Sequence, residues 1–328
     1  MSRSGLWAQV GMAAEGTVGT YQTPTRFLEM VSESMDLQVG RVESQALRAG
    51  SRTLRSDRWM SGSRVVGGEL QFEVADRGFG LPLAYAFGGG TATITTPAGG
   101  TNTRDHTIVQ ALNYGRALTV QVGRPDTAGT VNPFSYLGCK VTEASLSSEV
   151  DGLLQLSMTL AAHDESQAQS LAAVSYPATQ ALLAWVGGTL SLAGAALDVT
   201  NFTFNVNHGL KTDRFLQRGS GGTIIKEPIE AAMAEVTGKF TVEFESVTQY
   251  NRFVNGTIAT LAGTWQAATI EGSLQYQLAV GMAAVRFDGE TPKVGGPDVL
   301  TMQVPYKALV SGTLSPYTLV YRTTDTTL

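Results

Sequence analysis

The 328-residue chain is long enough for about two domains, each able to bury its own core. Only 16% of its residues are charged against 43% apolar, where an average soluble domain has roughly 25% charged. With 37 glycines and abundant threonine, this excludes a helical bundle and points to many short strands joined by turns. The net charge of −5 lacks the basic surface a tight nucleic-acid binder needs. The single cysteine, Cys139, excludes an internal disulfide framework and a cysteine-rich zinc site.

The chain opens without a continuous apolar run of the kind a secretory signal carries. Residues 1–27 read as an N-terminal arm, with Met1–Gly19 expected to order only on assembly. Strict alternation then marks strands. Gly68–Ala75 sets Leu70, Phe72 and Val74 against Glu69, Gln71 and Glu73. Arg116–Gly123 sets Leu118, Val120 and Val122 against Thr119 and Gln121. Gly152–Ala161 sets Leu154, Leu156, Met158 and Leu160 against Gln155, Ser157 and Thr159. The most apolar stretch, Ala181–Leu197, is too short and too rich in Gly, Thr and Ser to span a membrane. It reads as a linker running into a strand. Further strands are expected over Leu197–Val206, Gly238–Glu245, Ser273–Val280, Val299–Val304 and Thr313–Arg322. Such one-sided strands form antiparallel sheets with one face on a core and the other on water or a partner.

Two segments align without a gap. Arg48–Asp76 matches Arg218–Ser246 with identities at Arg48/Arg218, Thr53/Thr223, Val66/Val236, Gly68/Gly238 and Glu73/Glu243. Each passes from a possible strand through a long loop into a strand that opens with the shared glycine. A short helix candidate follows (Arg77–Phe87 and Val247–Val254), then a glycine-containing turn. The period implies an internal duplication, divided as a first unit over 28–165, a linker over 166–187 and a second unit over 188–328.

The loops ahead of those strands, Arg41–Arg64 and Leu210–Glu235, are longer than compact domains use without a function. The first carries Arg48, Arg52, Arg55, Arg58 and Arg64 around Trp59, the second Arg214 and Arg218. Arginine forks suit bidentate carboxylate pairing and a tryptophan suits an interface anchor. These eight residues are the candidate contacts to another subunit.

Catalytic patterns are missing. Gly219–Thr223 is glycine-rich without the phosphate-binding lysine, and no GxSxG frames a serine. Cys139 sits in a strand-like context that suits a buried structural thiol. His106, His163 and His208 lack metal-ligand spacing, and Glu69 and Glu73 stand roughly 13 Å apart along a strand, a solvated acidic face. No enzyme activity, metal or cofactor is expected. The sequons at Asn201 and Asn255 carry little weight without a secretory signal.

The stretch Ala13–Met35, with Glu15, Gly19, Thr20, Thr23, Pro24 and Glu33-Ser34, resembles the opening of phage major tail proteins of the tail-tube family. The arginine-rich loop, the Gly-led strand and the helix after it follow that family's order. The resemblance implies a mainly β protein of two tandem tail-tube units, each a β-sandwich or split barrel with one short helix and a long loop. It implies a virion protein made in the host cytoplasm that polymerises as stacked rings into a hollow tube for DNA. A trimer with pseudo-sixfold symmetry is expected to form each ring, with a hexamer as the other option. Implied partners are the tape measure protein and DNA in the lumen, the tail terminator and the tail-tip proteins, with no membrane. Two alternatives share the strand pattern: an exported β-sandwich adhesin and the tube of a contractile secretion machine.

Overall fold

The computed structural model describes residues 4–215, 223–289, 291–292, 294, 296–297 and 299–328. Strands make up 51% of the chain and helices 7%, the mainly β composition that the turn-rich sequence predicts. The first half carries β1 (Gln9–Ala14), β2 (Arg26–Leu28), β3 (Met30–Glu33), β4 (Asp36–Glu43), β5 (Trp59–Glu73), α1 (Gly80–Phe87), β6 (Thr93–Thr95), β7 (Arg104–Val109), β8 (Leu118–Pro125), β9 (Val131–Glu149), β10 (Gln155–Ala162) and β11 (Asp164–Ser166). The second carries β12 (Gly188–Leu192), β13 (Ala195–Ala196), β14 (Asn201–Asn207), β15 (Leu210–Lys211), β16 (Thr223–Ile224), β17 (Ile229–Glu230), β18 (Glu235–Glu243), α2 (Thr248–Val254), β19 (Ala259–Glu271), β20 (Leu274–Phe287), β21 (Thr301–Ala308) and β22 (Thr318–Thr323).

Two ladder orders recur. In the first half β1 pairs with β8, β8 with β9, β9 with β10 and β11, β10 with β5, and β5 with β3 and β4. In the second half β12 pairs with β19, β19 with β20, β20 with β21 and β22, β21 with β18, and β18 with β14. Gly68 stands opposite Leu160 and Gly238 opposite Tyr306, so the two shared glycines hold the same place in each ladder. The halves are stitched together where β9 pairs with β14 over seven residues, and where β22 pairs with β7.

Strand β9 makes this possible. Its 19 residues pair with β8 and β11 on the N-terminal side and with β10 and β14 on the C-terminal side. Between the two stretches Gly138 takes a left-handed φ of 64°, and the register slips opposite Thr159/Leu160. A glycine kink and a bulge are the two devices that let one strand serve two sheets.

Periodicity places the core. Leu70, Phe72, Leu156, Met158, Leu146, Phe202 and Phe204 are all fully buried and lie on the apolar parity of β5, β10, β9 and β14. Trp265 on β19 is also fully buried; it packs on Phe202 with centroids 5.5 Å apart and donates its indole N–H to Ser148 Oγ at 3.1 Å. The two helices differ. Every residue of α1 is buried, as an all-apolar sequence requires, whereas α2 buries none fully.

Three expectations change. Residues Gln9–Ala14, expected within a flexible arm, are β1, with Val10 and Met12 fully buried. The polar parity of β8 does not face water: Gln121 is 1% exposed. Its amide donates to Ser135 Oγ and the Ser170 carbonyl and accepts from the Ala172 N–H. The segment after β11 lies over that face, which alternation alone does not reveal. The loop Arg41–Arg64 is in large part a hairpin, because β4 and β5 pair from Asp36–Gly67 out to Glu43–Trp59, and only residues 44–58 form the connection.

Candidate functional surfaces

The polar parity of β5, β10, β9, β14, β18 and β21 makes one continuous face. One row reads Glu69, Thr159, Glu143, Asn207 and Glu235 in register across five strands. Another reads Glu73, Gln155, Ser147, Thr203, Lys239 and Pro305 across all six. Glu149 and Glu243 extend it at one end, opposite Asn201 and Thr301, and Lys307 stands opposite Thr237. The face holds six glutamates and two lysines, a formal net of −4.

Glutamate never stands directly opposite glutamate in these rows. Glu69 and Glu143 are separated by β10, and Glu143 and Glu235 by β14. At about 4.8 Å per strand each pair is about 10 Å apart, far enough for water to screen repulsion that direct opposition would impose. Neutral partners hold the acids: Glu69 accepts from Ser157 Oγ and from Gln71 Nε2 at 3.0 Å, and Glu143 accepts from Asn207. The Ser157 hydrogen bond, then that from Gln71, keeps the Glu69 carboxyl below its ordinary range. Lys307 does the same for Glu235 at 2.7 Å.

The hairpin gathers part of the arginine set. Arg48 and Arg52 are exposed on the 44–58 connection. Arg55 and Arg58 flank Asp57 at 2.8 and 4.0 Å. Trp59 stands at the foot with the Arg41 guanidinium 5.4 Å above its ring, a cation–π contact that steadies the indole. Leu47 and Met60 are fully and largely exposed beside them. Arg64 and Arg214 do not join this group. Arg64 turns back to Asp164 at 2.7 Å, and Arg214 donates to the Glu227 carbonyl at 2.7 Å. Arg218 lies outside the described residues.

The acids of the N-terminal motif are structural. Glu15 is 8% exposed; it accepts from the N–H groups of Gly19 and Gly138 and from Thr119 Oγ1. Both glycines have left-handed φ, 80° and 64°, so one carboxylate secures two turns that only glycine takes at low cost. Glu33 receives a bidentate fork from Arg124 at 3.0 and 2.8 Å. Ser34 Oγ accepts from the Glu69 N–H at 2.9 Å. The spacing of the motif follows from these clasps, which the sequence alone leaves invisible.

Sequence reasoning also missed Lys140. Its side chain is 2% exposed and joins Glu227 at 2.6 Å and the Pro228 carbonyl at 3.0 Å, fastening the second long connection to β9. No pattern marks it, because its partner is 87 residues away.

Titratable groups in the interior hold structure. Cys139 is fully buried, and burial pushes its thiol up. Among the described residues no cluster of His, Cys, Asp and Glu has metal-binding geometry, and no helix is long and apolar enough to cross a membrane. His208 is buried, with Nε2 donating to the Ala86 carbonyl at 2.7 Å, Nδ1 unpartnered, and the Tyr114 ring 4.0 Å away. Burial lowers its pKa to about 4. The unfolded chain therefore takes up this proton near pH 6.5 and the folded chain only near 4. Stability is full above 6.5 and falls as the pH drops between those values. The loss reaches up to about 3 kcal/mol at 1.36 kcal/mol per unit. Urea midpoints at pH 7.5 and 4.5 should show it, and His208→Gln should flatten the difference; an unchanged difference would rule out this histidine as a source.

A broad β scaffold with an acidic open face and a projecting basic hairpin, its buried Glu15, Gln121 and Lys140 each clasping distant segments, has the build of a structural protein. The chain belongs to the phage tail tube protein family, whose model matches residues 5–308. It is thus a component of the bacteriophage virion, in the tail. Comparison with curated proteins finds no match.

Proposed function

We propose that the chain polymerises as stacked rings into the tail tube, with the acidic face of β5, β10, β9, β14, β18 and β21 turned to the bore through which DNA leaves the capsid. The observation that carries this reading is a wide polar sheet of net negative charge, backed by a core and ending in β4, which among the described residues pairs with β5 alone. An open edge of this kind needs covering or pairing. Counting β4 and the end of β20 with the six face strands gives eight positions per chain, hence about 24 strands in a ring of three, well above the 16–18 that already leave an aqueous channel. An acidic wall repels phosphates and lets DNA slide without sticking.

The repeated ladder supports two tail-tube units joined by residues 166–187, with β1 included in the first. Three chains then supply pseudo-sixfold symmetry. The tape measure protein occupies the lumen before DNA, and terminator and tip proteins cap the ends; assembly takes place in the host cytoplasm.

Purified protein at high concentration should form hollow, evenly striated tubes in negative stain, and persistent monomers would refute the reading. The 44–58 connection is assigned to the contact between rings, through Arg48, Arg52, Arg55 and Arg58. Arg52→Glu with Arg55→Glu is expected to stop polymerisation with circular dichroism unchanged. Normal tubes from that variant would remove the hairpin from the stacking contact.

A further inference from the structure

Lys140 and Arg286 hold the same place in the two units. Gly68 stands opposite Leu160 and Gly238 opposite Tyr306. Leu160 and Ala161 in turn face Val141 and Lys140 on β9, and Tyr306 and Lys307 face Phe287 and Arg286 on β20. Val141 and Phe287 are both buried, so the cation next to each points to the opposite, polar side. The surroundings of the two cations differ. The Lys140 side chain is 2% exposed, held by Glu227 at 2.6 Å and the Pro228 carbonyl at 3.0 Å. The Arg286 side chain is 48% exposed, and its ion pair among the described residues is a local one, to Asp288 at 2.9 Å.

The acid that covers Lys140 is duplicated too. The gapless match that equates Gly68 with Gly238 equates Asp57 with Glu227. The ladders carry that match to the foot of each long connection: Val42 faces Met60 and Glu43 faces Trp59, while Leu210 faces Glu230 and Lys211 faces Ile229. Trp59 and Ile229 are therefore equivalent, and in both units the acid lies just before them. Glu227 reaches across the joint that β9 and β14 make between the halves, onto the neighbouring unit. Asp57 precedes β5 beside β4, whose outer side is unpaired among the described residues. Its companions are Arg55 at 2.8 Å and Arg58 at 4.0 Å, surface pairs of a kind that contributes little and exchanges readily.

We propose that Asp57 of one copy pairs with Arg286 of a second copy, repeating between chains the contact that Glu227 and Lys140 make between halves. This rests on the ring reading and adds the charges that join neighbours within a ring. The side-chain lengths agree. Arginine reaches one atom further than lysine and aspartate one carbon less than glutamate, so the pair spans the same gap. The arginine fork takes both carboxylate oxygens, which replaces the second acceptor that Lys140 finds in the Pro228 carbonyl. The carbonyl in that place, that of Arg58, already accepts the Ser44 N–H at 2.9 Å. Within one chain β5 and β20 are six ladder steps apart, about 29 Å at about 4.8 Å per step, so Asp57 and Arg286 of the same copy do not meet. The foot of the hairpin thus faces along the ring, and Arg48 and Arg52 farther out stay free for the next ring.

A charge exchange tests the pair. Asp57→Lys and Arg286→Glu, each folded by circular dichroism, should each raise the protein concentration needed for rings or tubes, read by sedimentation velocity, at least about tenfold. Asp57→Lys with Arg286→Glu in one chain should bring it back to within about threefold of wild type, because every joint then carries the reversed pair; two residues with separate structural roles give no such rescue. If a reversal fails to fold, Asp57→Asn, Arg286→Gln and their combination read the same contact, and the combined loss should be about that of one change alone. Single reversals that assemble like wild type, a folded double reversal that stays unassembled, or additive losses in the neutral set would overturn the pair and leave the ring reading standing. Wild-type protein that never forms rings would overturn both.

Discussion

Gly238→Ala is expected to destabilise the chain by at least about 3 kcal/mol, read as a lower denaturant midpoint with unchanged slope. A Cβ built there would lie 2.1 Å from the Thr203 carbonyl oxygen and 2.4 Å from the Tyr306 hydroxyl oxygen. That hydroxyl donates to the same carbonyl at 2.8 Å. The Tyr306 ring thus lies across the glycine on the adjacent strand and caps β14, so the glycine leaves the space that the ring fills. Real Cβ atoms are not found at such distances, and the nearest atom is backbone inside a paired ladder, where relief means separating strands. Gly68→Ala should fail as badly for a different reason. Its φ is 156°, and a Cβ built there would lie 2.4 Å from the Ser34 carbonyl oxygen, because the irregular turn between β3 and β4 crosses close beneath it. Wild-type midpoints in either variant would mean that the sheet relaxes freely and that the shared glycine is incidental.

That pair of glycines also measures what the sequence discloses. The alternation around them and the helices that follow are local patterns, and both appear in the fold within a few residues. The cause behind each glycine is not local: an aromatic ring from β21 in one case, a backbone turn after β3 in the other. The same division holds elsewhere. Leu118, Val120 and Val122 announce β8, but Thr119 and Gln121 look like a wetted face until Glu15 and the segment after β11 cover them. Of β9 only the strand-like context of Cys139 shows, because the strand serves two different sheets along its length, which blurs its periodicity. The acidic face was legible as residues and not as a surface, since Glu69, Glu143 and Glu235 come into one row only through ladders spanning the two halves. The arginine set was legible as a cluster, but Arg64 and Arg214 are drawn away by Asp164 and by the Glu227 carbonyl, partners that sequence spacing does not indicate.

Reversing Glu73, Glu149 and Glu243 to lysine should turn assembled tubes from indifferent to DNA into tubes that retain it. These three acids lie toward one end of the face and make no hydrogen bond or ion pair among the described residues that holds the ladders, so folding and ring closure should survive. The face changes from six glutamates and two lysines to three and five, from −4 to +2 per chain. A wall that repelled phosphates would then attract them, and each neutralised phosphate releases condensed counterions. Linear duplex DNA offered to open-ended tubes at low salt is expected to bind at least about a hundredfold more strongly than to wild type, with affinity falling steeply as salt rises. Reversing Asp105 or Glu271 instead serves poorly as a control, because Asp105 holds Arg322 and Glu271 holds the Thr101–Thr103 amides. Glu29 and Asp198, exposed and on none of the strands that build the face, are better. If those reversals raised retention as much as the face reversals do, or if the face reversals left it unchanged in intact tubes, the sheet would not be the wall that DNA meets.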